Sequence, residues 1–280
     1  MAYKSILTVV TDVGAVPGLL GAAAALAERE DAHLDVLCLG IDRTQAGYYY
    51  AGASALVFQE TIEKAQSDAD DLVAAVQAGL DGSPVRWAAE PAIAQIGSIV
   101  NVVGMRARFC DLVLLPRPYG DDRGIEAEAI AEAALFDGQA PVLIWPGEGT
   151  DLGKIGRRIV LAWNQSNEAL AAARRALPLL KKAELVDITV IDPPRHGPER
   201  SDPGGALSQF LSRHGVRAEV SVLARTMPRI SDILLRQVQD INADLLVMGA
   251  YGHSRFREAI LGGATRNMLE LADVPVFLAH

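Results

Sequence analysis

Residues 249–269, GAYGHSRFREAILGGATRNML, hold the densest set of groups that could do chemistry in this chain. Gly249, Gly252, Gly262 and Gly263 allow positive φ and let backbone N–H groups approach a ligand closely. Ala264 and the hydroxyl-bearing Thr265 follow as the sequence turns helical, and a helix start presents unpaired N–H groups to an anion. His253, Ser254, Arg255, Arg257 and Arg266 add donors and positive charge. The chemistry these types suit is the holding of a phosphate. A second loop, Asn164-Gln165-Ser166, follows the apolar run Ile159–Trp163, and Ser166 or Asn164 is placed to cap the next helix. For that loop alone, a plain N-cap is an adequate reading.

Elements that could position these loops are legible as an internal repeat. SILTVVTD (5–12) recurs as RIVLAWNQS (158–166), CDLVLLP (110–116) as ADLLVMG (243–249), and APVLIWP (140–146) as VPVFLA (274–279). The intervals agree, because Asp111 to Pro141 is 30 residues and Asp244 to Pro275 is 31. Short continuous apolar runs such as ILTVV, LVLL, IVLAW, DITVI and DLLVM suit strands buried on both faces of a parallel sheet. Ala22–Arg29, Ile62–Leu80, Ile93–Ala107, Glu168–Lys182 and Ile230–Ile241 carry apolar residues at helical spacing. Alternating strands and helices imply right-handed crossovers, so the expected fold class is α/β: two repeated, doubly wound, mainly parallel open-sheet domains of Rossmann-like type. The expected division is 1–147, a linker at 148–156 and 157–280. Asp42–Ser54 and the Pro/Gly-rich Asp192–Gly205 read as surface loops, the latter with a pocket lid as the alternative.

Gly249-x2-Gly252-x9-Gly262, after the fourth strand of an α/β unit and before a Pro-Val apolar strand, resembles the nucleotide-binding pattern of the universal stress protein family. The duplication resembles its tandem form, and the likeness runs over essentially all 280 residues. The resemblance implies a pocket for ATP or a related adenine nucleotide such as AMP, with Mg2+ as its candidate companion. It places Asn164 where an Asp usually stands near the adenosine and Val190 against the adenine. It sets Gly249, Gly252 and Gly262 around the ribose and phosphates, with Ser166, His253, Ser254, Gly263, Ala264 and Thr265 completing the set. Two departures stand out. Gly263 follows Gly262 where the family has Ser or Thr, leaving Thr265 as the nearest hydroxyl, and Asn for Asp exchanges a charge for a group that both donates and accepts.

The first half departs further. Aligning CDLVLLPRPYG with ADLLVMGAYG sets Pro116 and Tyr119 opposite Gly249 and Gly252, and no Gly-Gly precedes GIEAEAIAEAALF. Proline lacks the N–H and tyrosine brings bulk, so this half is not expected to take ATP in the family manner. Arg117, Asp121, Asp122 and Arg123 read as a solvated charged loop, with a different site as the alternative.

Composition excludes several classes. Against 35 acidic residues stand 26 basic ones, a net charge of −9, so diffuse attraction to nucleic acid or an anionic membrane is disfavoured. Lys4 and the stretch Ile6–Ala27 imitate a signal peptide, but Asp12 and Pro17 interrupt it and Val13–Ala27 is too short to span a bilayer. Cys38 and Cys110 form no disulfide framework or CxxC element and read as two buried thiols of a reducing cytosol. Gly147-x-Gly149 with Gly153 and Gly153-Lys154 miss the dinucleotide and P-loop patterns, the histidines lack metal spacing, and no GxSxG elbow occurs.

The reading is a cytoplasmic stress-response protein that binds an adenine nucleotide in its second half and acts by a change of conformation or partner. The alternatives are a slow ATPase or phosphoryl-transfer enzyme, with Glu258, Asp192 and Asp187 as the nearby carboxylates, and a nucleotide-independent interaction module. The two halves are expected to pack on each other, with a homodimer as a further option, and the C-terminal strand Val274–Ala279 is expected at an exposed edge.

Overall fold

The computed structural model describes residues 2–43, 55–120, 124–193, 201–250 and 263–280. The chain folds as two compact units, Tyr3–Ala140 and Pro141–His280, the second also taking the N-terminal residue Ala2.

In the first unit, strand β1 (Ser5–Val10), helix Val16–Glu30, β2 (His33–Asp42), helix Ala55–Leu80, β3 (Arg86–Gln95), helix Ile99–Ala107, β4 (Leu112–Pro116) and helix Ile125–Glu132 follow in order. Their sheet runs β3-β2-β1-β4, every pair parallel. The second unit contains β5 (Val142–Trp145), β6 (Arg158–Trp163), helices Asn167–Arg175 and Leu177–Leu180, β7 (Leu185–Ile191), helix Gly205–Arg213, β8 (Ala218–Leu223), helix Ile230–Asp240, β9 (Leu245–Gly249), helix Ala264–Leu271 and β10 (Val276–Ala279). Its sheet runs β5-β10-β9-β6-β7-β8, parallel throughout except for β5 against β10. The α/β, mostly parallel, open-sheet architecture is thus present in both units.

Strands read as doubly buried runs are the cores of their sheets. Ile6, Leu112, Val113, Leu114, Ile159, Val160, Leu161, Leu245, Leu246 and Val247 are all inaccessible to solvent. Each such side chain contributes roughly 1.5–3 kcal/mol by leaving water.

Three expectations need correction. The helical reading of Ile93–Ala107 overlaps a strand: β3 continues to Gln95 and the α-helix begins at Ile99. As an edge strand, RWAAEPAIAQ is half-exposed along most of its length, so its hydrophobic pattern is diluted, and Pro91 is tolerated there. Glu168–Lys182 is two helices, because Pro178 cannot donate to the preceding turn. The C-terminal strand is not an exposed edge. β10 lies between β9 and β5, with Val276, Phe277, Leu278 and Ala279 all buried.

The repeat has a physical basis at the amino ends of the strands. Asp244 accepts hydrogen bonds from Gly156 N (3.0 Å), Arg157 N (3.1 Å) and Arg158 N (3.1 Å), tying the start of β6 to the start of β9. Asp111 does the same for β1 and β4, accepting from Lys4 N (2.7 Å) and Ser5 N (3.1 Å). These aspartates are joints of the fold. Asp244→Ala leaves three backbone N–H groups without this acceptor and should cost about 1–2 kcal/mol, read as a lowered urea midpoint at unchanged m-value.

The cysteines form no disulfide. Cys38 is fully buried, and that burial pushes its thiol up to about 11. Cys110, half-buried, is also raised, chiefly by burial. At pH 8 only about one Cys38 in a thousand is thiolate, so mass spectrometry should find it unmodified by iodoacetamide in the native protein and alkylated after denaturation.

Candidate functional site

The sheet topology of the second unit places the site. From β6 the chain proceeds outward to β7 and β8, then returns on the other side as β9. The order therefore reverses between β6 and β9, and ligands of open α/β sheets bind beyond the carboxyl ends of the strands at such a point. Trp163 pairs with Val190, Ala279 pairs with Gly249, and continuing the β6–β9 register by two residues sets Trp163 level with Gly249. The loops leaving β6, β7 and β9 thus start at one level.

The β6 turn is built by local hydrogen bonds. Asn164 Oδ1 accepts from Ser166 N at 3.1 Å, Gln165 takes a left-handed conformation (φ 65°), and Ser166 Oγ caps helix Asn167–Arg175 by accepting from Ala169 N at 3.1 Å. Ser166 therefore performs the plain N-cap role. Asn164 is exposed, and with Oδ1 engaged in the turn its amide group presents N–H donors outward.

Gly249 is fixed by space rather than by φ. A Cβ there would stand 2.5 Å from Ala169 N and 2.6 Å from the Glu168 carbonyl carbon, so the end of β9 lies directly on the first turn of helix Asn167–Arg175. The following residue is anchored as well: Ala250 N donates to Ala279 O (2.8 Å), and Ala250 O lies 3.0 Å from His280 Nδ1.

Gly263 is the N-cap of helix Ala264–Leu271, with extended backbone (φ −56°, ψ 152°), no side-chain cap and no acidic residue in the first turn. Gly263 and Ala264 are half-buried, while Thr265, at the second helical position, is 3% exposed. This first turn carries no carboxylate of its own against the positive end of the helix dipole. Val190 is 2% exposed, and its Cγ2 would lie 3.3 Å from a Cβ placed on Gly204, so its side chain belongs to the core. Gly252, His253, Ser254 and Gly262 lie outside the described residues, as do Arg255, Arg257 and Glu258. Arg266 turns along its own helix to Glu270 (Nε to Oε1, 2.9 Å).

Two of the carboxylates considered for catalysis, Asp187 and Asp192, lie among the described residues. Asp187 is 3% exposed and accepts from Thr189 Oγ1 (2.6 Å), Ser221 Oγ (2.5 Å) and Gln237 Nε2 (2.8 Å). Neutral donors hold it inside the sheet–helix layer. Asp192 is exposed at the end of β7. No group of three or more metal-capable side chains occurs among the described residues. Among those residues, too, no helix is long and apolar enough to cross a membrane.

A family model described as "Universal stress protein family" matches residues 156–280, from just ahead of β6 to the end of β10. Over this stretch, less than half of the chain, it is similar to the universal stress protein family. A stretch of 72 residues is 33% identical to a universal stress protein, Slr1230, of Synechocystis sp. (strain ATCC 27184 / PCC 6803 / Kazusa), covering 26% of this chain and 24% of that relative's length. The crystal structure of a universal stress protein from Archaeoglobus fulgidus DSM 4304 superposes with a TM-score of 0.69 at 16% identity, over 98% of this chain and 96% of that one. The cytoplasmic domain of a prokaryotic cation chloride cotransporter superposes with a TM-score of 0.50 at 14% identity, over 98% and 94%. At these identities the structures share the fold, and the fold is also used outside the stress proteins.

Sequence reasoning missed one charged pair in the other unit. Arg43 Nη2 donates to Glu126 Oε1 at 2.8 Å, joining the end of β2 to the helix after β4. The only signal was Glu126 in the first turn of a helix whose counterpart carries Thr265.

Packing at Gly249 is directly testable. Gly249→Ala must push apart β9 and helix Asn167–Arg175 and should cost about 1–3 kcal/mol, observed as a lower Tm. Gly147→Ala, at a glycine with nothing within 4 Å of the added Cβ but with φ 127°, serves as a comparison in which only backbone strain is introduced.

Proposed function

We propose that the universal stress protein domain binds an adenine nucleotide beyond the carboxyl ends of β9, β6 and β7, and that occupancy changes the conformation or partners of a cytoplasmic stress-response protein. The observation that carries this reading is the start of helix Ala264–Leu271: a glycine N-cap with no acidic residue in its first turn, in the crossover between the parallel strands β9 and β10.

In this reading the backbone N–H groups of Gly263, Ala264 and Thr265 take the phosphates, with the Thr265 hydroxyl supplying the donor that Gly263 does not. Gly249, Gly252 and Gly262 keep the backbone close to the ligand, and His253 and Ser254 contribute donors to the phosphates. The outward N–H groups of Asn164 donate to the nucleoside, the Ser166 turn holds Asn164 in place, and Val190 forms the buried floor beneath the base. A bound nucleotide adds negative charge where the first turn has none of its own, a contribution of roughly 0.3–1 kcal/mol at an exposed terminus and up to ~2 when partly buried. The described residues do not assemble a carboxylate site for Mg2+, and no step here depends on one.

The test is to purify the protein without added nucleotide, denature it, assay the supernatant for adenine nucleotides, and titrate the emptied protein with ATP, ADP and AMP by calorimetry. One nucleotide per chain is expected, abolished by Gly252→Val. Thr265→Val should weaken the phosphate-bearing ligands by about tenfold, the equivalent of 1.4 kcal/mol. No binding by the unmutated protein overturns the proposal. Nucleotide turnover that disappears with Gly252→Val would move the reading to an ATPase.

A further inference from the structure

The two units differ at one helix start in a way that changes what can bind there. In the second, Gly263 caps helix Ala264–Leu271 and Thr265 follows at the second position; in the first, Gly124 caps helix Ile125–Glu132 and Glu126 follows at the second position. Both glycine caps are extended and neither has a side-chain cap. Each helix has eight residues, follows the fourth strand of its repeat and precedes the fifth.

Glu126 is only 7% exposed. Its carboxylate folds back over the cap so closely that a Cβ on Gly124 would collide with it. Arg43, immediately after β2, meets Oε1 at 2.8 Å. Since β1 lies between β2 and β4, this ion pair reaches across the carboxyl end of β1, the position that corresponds to the end of β6. The second oxygen, Oε2, is buried without a hydrogen-bond partner among the described residues. A native ion pair rarely leaves such an oxygen unmatched. Tyr119, opposite Gly252 in the repeat, is 9% exposed and donates its OH to Glu128 Oε1 at 3.1 Å.

We infer that the first unit retains an oxyanion site at the start of helix Ile125–Glu132, filled by its own Glu126 carboxylate, and that removing this carboxylate lets Arg43 and the helix N–H groups take an external phosphate group. The carboxylate supplies the negative charge that the helix start favours and that Arg43 pairs with, so no external anion is needed. The comparison with the second unit rests on the nucleotide reading above, whereas the chemistry of the first unit is its own.

Inorganic phosphate is the probe, varied in the millimolar range at constant ionic strength, with thermal unfolding as the readout. All proteins carry Gly252→Val, so that the second unit is blocked. The Glu126→Thr protein should show a saturable rise in Tm with a half-saturation at least tenfold below any response of the Glu126 protein, and adding Arg43→Ala should remove it. Glu126→Ala, which empties the same space, should respond in the same direction and serves if Glu126→Thr does not fold. A folded Glu126→Thr or Glu126→Ala protein with no phosphate response overturns the inference, as does an equal response with Glu126 present. The two readings fail separately: absence of nucleotide from the unmutated protein defeats the second-unit reading, while the phosphate response of the Glu126 variants decides this one.

Discussion

The site of the second unit depends on one steric constraint, the contact of the end of β9 with the first turn of helix Asn167–Arg175. Without a Cβ at Gly249, Ala169 N and the Glu168 backbone come into contact with the strand. The same Ala169 N is the donor that Ser166 Oγ caps, and Ser166 N is the donor that Asn164 Oδ1 receives. A glycine on one strand, a serine cap and an asparagine turn on the neighbouring strand are therefore one assembly. Enlarging the glycine displaces the turn that aims Asn164, so the first glycine of the pattern acts through packing before it acts through any ligand.

Duplication has preserved the amino ends of the strands and altered the carboxyl ends. Asp111 and Asp244 hold the same backbone groups of β1 and β6, because a parallel pair needs its register set where the two strands begin. No ligand is involved, and both copies keep the residue. Beyond the amino ends, Gly249 corresponds to Pro116 and Thr265 to Glu126, and the aligned sequences set Tyr119 opposite Gly252. These exchanges fill space and change charge while leaving the strands intact, as expected where loops carry function and sheets carry stability.

Legibility in the sequence followed burial. β1, β4, β6, β7 and β9 stand out as apolar runs because neighbours and helices cover both of their faces, and their order in the repeat gave the parallel doubly wound plan. β3 and β8 did not stand out, since edge strands are only partly covered: most of β3 is half-exposed, and Val220 and Val222 of β8 are 37% and 53% exposed. The interior place of β10 was hidden for another reason. Its antiparallel partner β5 is more than 130 residues away in sequence, and no local pattern encodes such a pairing. Among the site residues, the cap at Ser166 and the open glycine cap at Gly263 were readable from local spacing. The burial of Val190 beneath Gly204 and of Asp187 among three neutral donors depends on helices packed from distant segments. The Arg43–Glu126 pair, 83 residues apart, is the same kind of fact.

Electrostatics explains why these two equivalent helix starts should behave differently. A helix start carries about half a positive charge, and the protein can meet it from within or leave it to a ligand. In helix Ile125–Glu132, Glu126 and Glu128 occupy the first turn; in helix Ala264–Leu271, no acidic residue does. For a chain with a net charge of −9, the absence of carboxylates from one particular first turn is the more informative observation. The first unit meets the helix dipole with its own carboxylates and the second does not, and it is on this difference that the nucleotide proposal for the second unit rests.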